Sequence, residues 1–147
     1  MSELKTIPGI EIRNINHARV TWRGGHRFDA GRTDGVPTIR IDADTKEGPG
    51  PVETLLCALA SCSAVDVLDI LEKRRTPVES LEVDVEAARA KATPARVIGI
   101  LLRFRISGAG VERVHAERAI ELAVTKYCTV RDTLDPSIPV HWTLDLQ

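Results

Sequence analysis

The chain has 147 residues, the length of one ordinary domain, with 43% hydrophobic and 28% charged residues, a balance that excludes a disordered chain. Its net charge of −1 gives no electrostatic reason to expect a nucleic-acid partner. No uninterrupted apolar run reaches the roughly 18 residues of a bilayer span, and the opening residues lack the apolar core of a secretory signal. No membrane partner is therefore expected, and the cytoplasm is the expected compartment.

The first third reads as strands. His17 to Arg23 and Phe28 to Arg32 flank Gly24-Gly25, a hairpin-turn signal. Asp34-Gly35 is a second turn, and Val36 to Ala43 follows with Ile39 and Ile41 alternating against Arg40 and Asp42, the pattern of a half-buried strand. EGPGP (47–51) stops any strand, and Pro51 is suited to open a helix because its missing N–H would be unpaired there. Val52 to about Arg75 is predicted helical: it is rich in Leu and Ala, holds neither Gly nor Pro, and ends in basic residues before Pro77. That helix is apolar on most faces up to Ile70, so it belongs in a core or an interface.

Two strands follow: Leu81 to Ala87 alternates apolar with acidic residues, and Val97 to Ile106 is more apolar at first and then alternates Leu102, Phe104 and Ile106 with Arg103 and Arg105. Gly108 and Gly110 break the chain before a second helix from about Val111 to Lys126. A short helical turn to Leu134 and a closing strand, Val140 to Leu146, complete the order. Runs of strands interrupted by helices, without strict βαβ alternation, predict a single α+β domain over residues 1–147 with antiparallel sheets.

Chemistry is sought first at the three cysteines, 57, 62 and 128. No CxxC and no zinc-finger spacing occurs among them and the scattered histidines, so nothing in the spacing asks for a metal. Free cysteine is often a small buried hydrophobe, and periodicity alone does not separate a reactive thiol from an inert one.

Two motifs carry a resemblance. GPGPVETLLCALASCSAVDVLDILEKRR (48–75) is similar to the first-cysteine helix of the OsmC/Ohr proteins, and KYCTV (126–130) resembles their second-cysteine motif, most closely in the OsmC-like branch. The Trp22/Phe28 region and Ile39-Arg40-Ile41-Asp42 fit the family's N-terminal strands. The resemblance implies antiparallel sheets wrapped around two long central helices in an intertwined homodimer, with active sites at the subunit interface. It implies a thiol peroxidase of organic hydroperoxides, recharged by a dithiol of the lipoyl type, with no bound cofactor. Cys62 takes the peroxidatic role and Cys128 the resolving role. Cys57 has no counterpart and is expected to serve packing.

Cys62 lies too deep in its helix for the dipole, which fades within the first turn, so a cation is expected beside its thiolate. In the family an arginine from an N-terminal hairpin serves. RGGHRF (23–28) offers Arg23 and Arg27, and Arg27 is favoured by position. Peroxidase members hold that arginine with a glutamate directly after the helix-opening proline. Here that position is Val52, and Glu53 follows, where OsmC-like members also carry an acid. One residue turns a helical side chain by about 100°, so Glu53 is either the arginine's partner or a first-turn acid favoured by the dipole. Arg131, three residues after Cys128, is either a neighbour of that thiol or a surface arginine. A non-catalytic redox sensor or small-molecule binder, with turnover lost along with the acid at position 52, is the alternative function.

Overall fold

The structure, a computed structural model, describes residues 7–147. The described residues divide between Thr54 and Leu55 into two compact units.

The N-terminal unit holds an antiparallel sheet of β1 (Ala18–Trp22), β2 (Arg27–Arg32) and β3 (Ile39–Asp42). The β1–β2 hairpin turns through Gly24 and Gly25, whose φ values of 94° and 55° are open to glycine. Strand β3 starts later than the alternation suggests, since Pro37 has no N–H to give a ladder and Val36 stands exposed before it. The register aligns Trp22 with Phe28 and Phe28 with Ile41, and Val20 with Ala30 and Ala30 with Ile39. These residues share one apolar face, on which Trp22 is 65% exposed. The alternate positions carry Arg27, Asp29, Arg40 and Asp42.

Helix α1 (Pro51–Lys73) begins in this unit and runs into the next. Pro51 is its first residue, as expected. Its end is a Schellman cap: Arg75 takes φ 60°, Arg75 N–H donates to Glu72 O at 2.8 Å and Thr76 N–H to Leu71 O at 3.1 Å. By length and composition α1 would suffice to cross a bilayer. Glu53, Asp66 and Asp69 interrupt it, so it holds no unbroken apolar run of that length. One side of the helix, Leu56, Leu59, Ala60, Ser63, Val67 and Leu71, is buried. Leu55, Val65 and Leu68 remain exposed on the other.

The C-terminal unit packs that buried side into a core with β4 (Ser80–Arg89), β5 (Val97–Ser107), α2 (Arg113–Leu122) and β6 (Val140–Leu146). Ile100, Leu102, Phe104 and Ile106 of β5 point inward and are almost wholly buried, as the alternation predicts. Outward-facing Arg105 meets Asp84 and Glu82 across the β4–β5 ladder. The expectation of antiparallel sheets holds for every pairing except one: β6 runs parallel to β5. The reason is the connection, because the helical segment between them carries the chain back to the starting end of the sheet.

The second helix is shorter than its periodicity suggests. After Leu122 the backbone shifts into a π-helical turn, Ala123–Tyr127, and then a short helix, α3 (Thr129–Thr133).

Candidate active site

The π-turn decides where the second cysteine lies. Cys128 N–H reaches five residues back to Ala123 O at 2.9 Å, a register that regular α-helix does not offer, and π-turns of this kind recur at functional sites. Cys128 then leaves the helical region and caps α3, its sulfur accepting from Arg131 N–H at 3.4 Å. The residue is 2% exposed. A second donor comes from α1: the hydroxyl of Ser63, itself fully buried, reaches Cys128 Sγ at 3.4 Å.

Cys62 precedes Ser63 on α1 and is half-buried. Cys62 Sγ, Cys128 Sγ and a carboxylate oxygen of Asp66 lie within 4.8 Å of one another. All three cysteines are free thiols. The structure thus brings together the two cysteines that the motifs single out, and sets beside them Asp66, which lies in the first motif but is given no role by it. Asp66 follows Cys62 by four residues and so shares its helix face. A charged residue set between Val65 and Val67 in an apolar helix was the available signal. The donor set, two sulfurs and a carboxylate, is also one that zinc-like ions accept, and cysteine–histidine spacing does not disclose it.

Burial pushes the Cys128 thiol above its ordinary value. The Ser63 hydroxyl and the Arg131 N–H pull it back in part, and the neighbouring Cys62 raises it further. The Asp66 carboxyl is also raised, first by burial and then by the charge of Asp69. Its Oδ2 is closed off from solvent and has no hydrogen-bond partner among the described residues. Two hollows reach these groups. One, of about 300 Å³, has Cys128 in its wall with Val124, Leu134 and Val140 beside Lys126 and Arg131. The other, of about 490 Å³, has Asp66 and Asp69 facing Lys73, Arg74, His115 and Arg118.

The remaining candidates have other partners. Arg131 turns its guanidinium to Ile138 O at 2.8 Å and Asp135 O at 3.3 Å, so it ties down the following loop while its backbone serves Cys128. Cys57 is exposed on α1, which corrects the expectation that it packs: five residues before Cys62 it falls off the buried stripe. In the N-terminal unit, Glu53 Oε2 accepts the N–H of Gly50, half of a capping box, and takes this role in place of an arginine. Arg27 bonds Glu47 at 3.2 Å and Gly24 O at 3.4 Å, while Arg23 bonds Asp29 at 2.8 Å. Glu47 also holds Arg40. Sequence reasoning missed Glu47, which lies in a segment legible only as a strand breaker. Its placement comes from Asp42, 2% exposed, whose carboxylate accepts the N–H groups of Asp44, Lys46 and Glu47.

The family model described as OsmC-like protein matches residues 43–143, well over half of the chain. The chain belongs to the OsmC family. This OsmC-family chain is 31% identical to Protein YhfA of Escherichia coli K12 over 84% of its own length and 92% of that protein. The OsmC-like protein of Mycoplasma pneumoniae has the same fold, with a TM-score of 0.77 at 17% identity over 92% of this chain and 99% of that one. OhrB of Bacillus subtilis, an organic hydroperoxide resistance protein, superposes with a TM-score of 0.60 at 18% identity, over 87% of this chain and 97% of its own.

Proposed function

We propose that this OsmC-family protein is a thiol-dependent peroxidase of organic hydroperoxides. The observation that carries the reading is the approach of two reduced sulfurs, Cys62 and Cys128, to within 4.8 Å. The Cys62 thiolate attacks the terminal peroxide oxygen. The O–O bond breaks, the alcohol departs with a proton, and Cys62 becomes a sulfenic acid. Cys128 displaces the hydroxyl as water and forms the disulfide, for which the sulfurs must close to about 2 Å. An external dithiol, such as a lipoyl group, returns both thiols by exchange.

The family resemblance implies an arginine as cation for the peroxidatic thiolate; Arg27 is proposed for that role, and Glu47, which it bonds, is proposed to steady it. The relationship to organic hydroperoxide resistance proteins supports the substrate class, as do the apolar walls Val124, Leu134 and Val140. The working form is a homodimer in the cytoplasm, a compartment that keeps thiols reduced. The exposed Trp22, Val20 and Ile39 of the first sheet and the exposed Leu55, Val65 and Leu68 of α1 support a partner subunit.

The test is a thiol count. One equivalent of cumene hydroperoxide is expected to reduce the three free thiols to one, with mass spectrometry locating the bridge between Cys62 and Cys128. Survival of all three thiols sinks the reading. Val52, where peroxidase relatives carry glutamate, favours a second reading, a redox sensor that oxidises once. Steady turnover with hydroperoxide and dithiol separates the enzyme from the sensor.

A further inference from the structure

The two sulfurs account for the redox step and leave the carboxyl beside them without a role. Asp66 holds an Oδ2 away from solvent with no partner among the described residues, an arrangement that costs stability and so calls for an explanation. One of its carboxylate oxygens lies within 4.8 Å of both sulfurs, close enough for a proton to pass once bridge closure draws the groups together or one water joins them. Bridge closure has two proton requirements. The attacking sulfur of Cys128 must lose its proton, which its buried setting makes it hold more tightly than usual. The departing hydroxide must gain one.

We propose that Asp66 is the proton relay that closes the Cys62–Cys128 disulfide. The carboxylate takes the S–H proton of Cys128 as that sulfur attacks the sulfenic sulfur of Cys62. The S–O bond of Cys62 breaks, and the carboxylic acid passes the same proton to the hydroxide, which leaves as water. Cys128-SH and Cys62-SOH become the disulfide and water, and Asp66 ends as it began. In the reverse direction, when a dithiol opens the bridge, the carboxyl returns a proton to the Cys128 sulfur. A carboxyl made more basic by burial suits this work better than an ordinary one. Asp66 also borders the groove lined by Asp69, Lys73, Arg74, His115 and Arg118, the side from which proton exchange with solvent is proposed. The proposal rests on the reading of Cys62 and Cys128 as a redox pair, and does not depend on which oxidant loads Cys62.

Two reactions on the full chain, in a Cys57→Ser background, test it. In the first, one equivalent of cumene hydroperoxide is added, and sulfenate and disulfide are followed by dimedone trapping and quenched-sample mass spectrometry. Asp66→Asn should still form sulfenate and close the bridge slower by on the order of 10²-fold, the closure rate being read from sulfenate already formed. Its closure rate should lose the pH inflection of the parent, and Asp66→Glu should recover part of the rate. In the second, Cys62 is loaded as the mixed disulfide with thionitrobenzoate, whose thiolate leaves without needing a proton. Release of thionitrobenzoate by Cys128 then isolates proton removal, and Asp66→Asn should slow it also. Closure and release at parental rates in Asp66→Asn overturn the relay. Failure of hydroperoxide to oxidise Cys62 overturns the peroxidase reading alone, since the second reaction still reports on Asp66.

Discussion

Asp42 and Asp66, one in each unit, both hold a carboxylate oxygen away from water, and they live under opposite conditions. Asp42 is buried outright, and three backbone N–H groups converge on its carboxylate. They hold its carboxyl below the ordinary aspartate value, the Asp44 N–H most of all, against the upward push of burial. Asp66 has one oxygen with no donor, and burial together with Asp69 pushes it up. The first carboxyl has its hydrogen-bonding capacity filled by a turn and so defines that turn. The second has capacity left over, and the reactive sulfurs are what stands beside it. A saturated buried charge is an element of structure; an unsaturated one beside a nucleophile is available for chemistry.

The largest effect that sharpens this contrast comes from deleting the sulfur. Cys62→Ser should lower hydroperoxide turnover by about 10³-fold or more, to background, with no comparable loss of folding stability, because the side chain is half-buried and keeps its size. Steady-state assays beside thermal melts give both numbers. Residual turnover near the parental rate would move the chemistry elsewhere.

Next comes the sign of the pH dependence. A carboxyl whose folded value is lowered contributes stability above its ordinary value, near 3.8, and loses it as pH falls through the lower folded value. Asp42 is of this kind. For Asp66 the folded value is raised, so its contribution is complete below about the same ordinary value and is lost as pH rises through the folded one. Melting temperatures of Asp42→Asn and Asp66→Asn against the parent, taken from acid to neutral pH, should therefore diverge in opposite directions. Asp42→Asn should fall several degrees behind at neutral pH, since an amide nitrogen would face the N–H groups of Lys46 and Glu47. Asp66→Asn should match the parent in acid and overtake it toward neutrality. Parallel curves for the two variants would erase the distinction between them.

A smaller effect tests how Cys128 is held. Ser63→Ala removes a donor from a buried sulfur, for a loss of about 1 kcal/mol in chemical denaturation. It also removes one of the two influences that pull the thiol down, so bridge closure at a fixed pH should slow. Unchanged closure would leave Arg131 N–H as the only donor that matters.

The strands and α1 were legible because burial on one face imposes a period, and a period can be read. Leu102, Phe104 and Ile106 against Arg103 and Arg105 is the plainest case, together with the apolar stripe from Leu56 to Leu71. Cys62 and Cys128 were legible as motifs. What brings them together was not: the π-turn is a change of hydrogen-bond register in the backbone, and no residue type in AVTKY (123–127) announces it. The parallel pairing of β6 depends on where a helix delivers the chain, which local patterning does not encode. The sequence assigns no role to Glu47 or Asp66 for a related reason. Each looks like an ordinary surface acid until the fold shows what its oxygens meet: Arg27 and Arg40 for Glu47, and for Asp66 Oδ2 no donor among the described residues, with two thiols nearby.

Glu53 gives the smallest effect and completes the comparison of acids. Its carboxylate reaches back to the Gly50 N–H, and glutamine at this helical position can make the same bond. Glu53→Gln should therefore fold as the parent does, whereas Glu53→Ala should lose about 0.3–1.5 kcal/mol in urea melts. If capping is the whole role, hydroperoxide turnover in Glu53→Gln stays at the parental rate, while Glu47→Gln, which removes the charge beside Arg27, lowers it. The opposite result, a stable Glu53→Gln that turns over slowly beside an active Glu47→Gln, would mean that the negative charge of Glu53 serves the arginine despite its place one residue beyond the usual position. The helix start would then be doing two jobs, and the substitution of Val52 for glutamate would have been absorbed by a neighbour on the same turn, with no part for the loop that Asp42 holds.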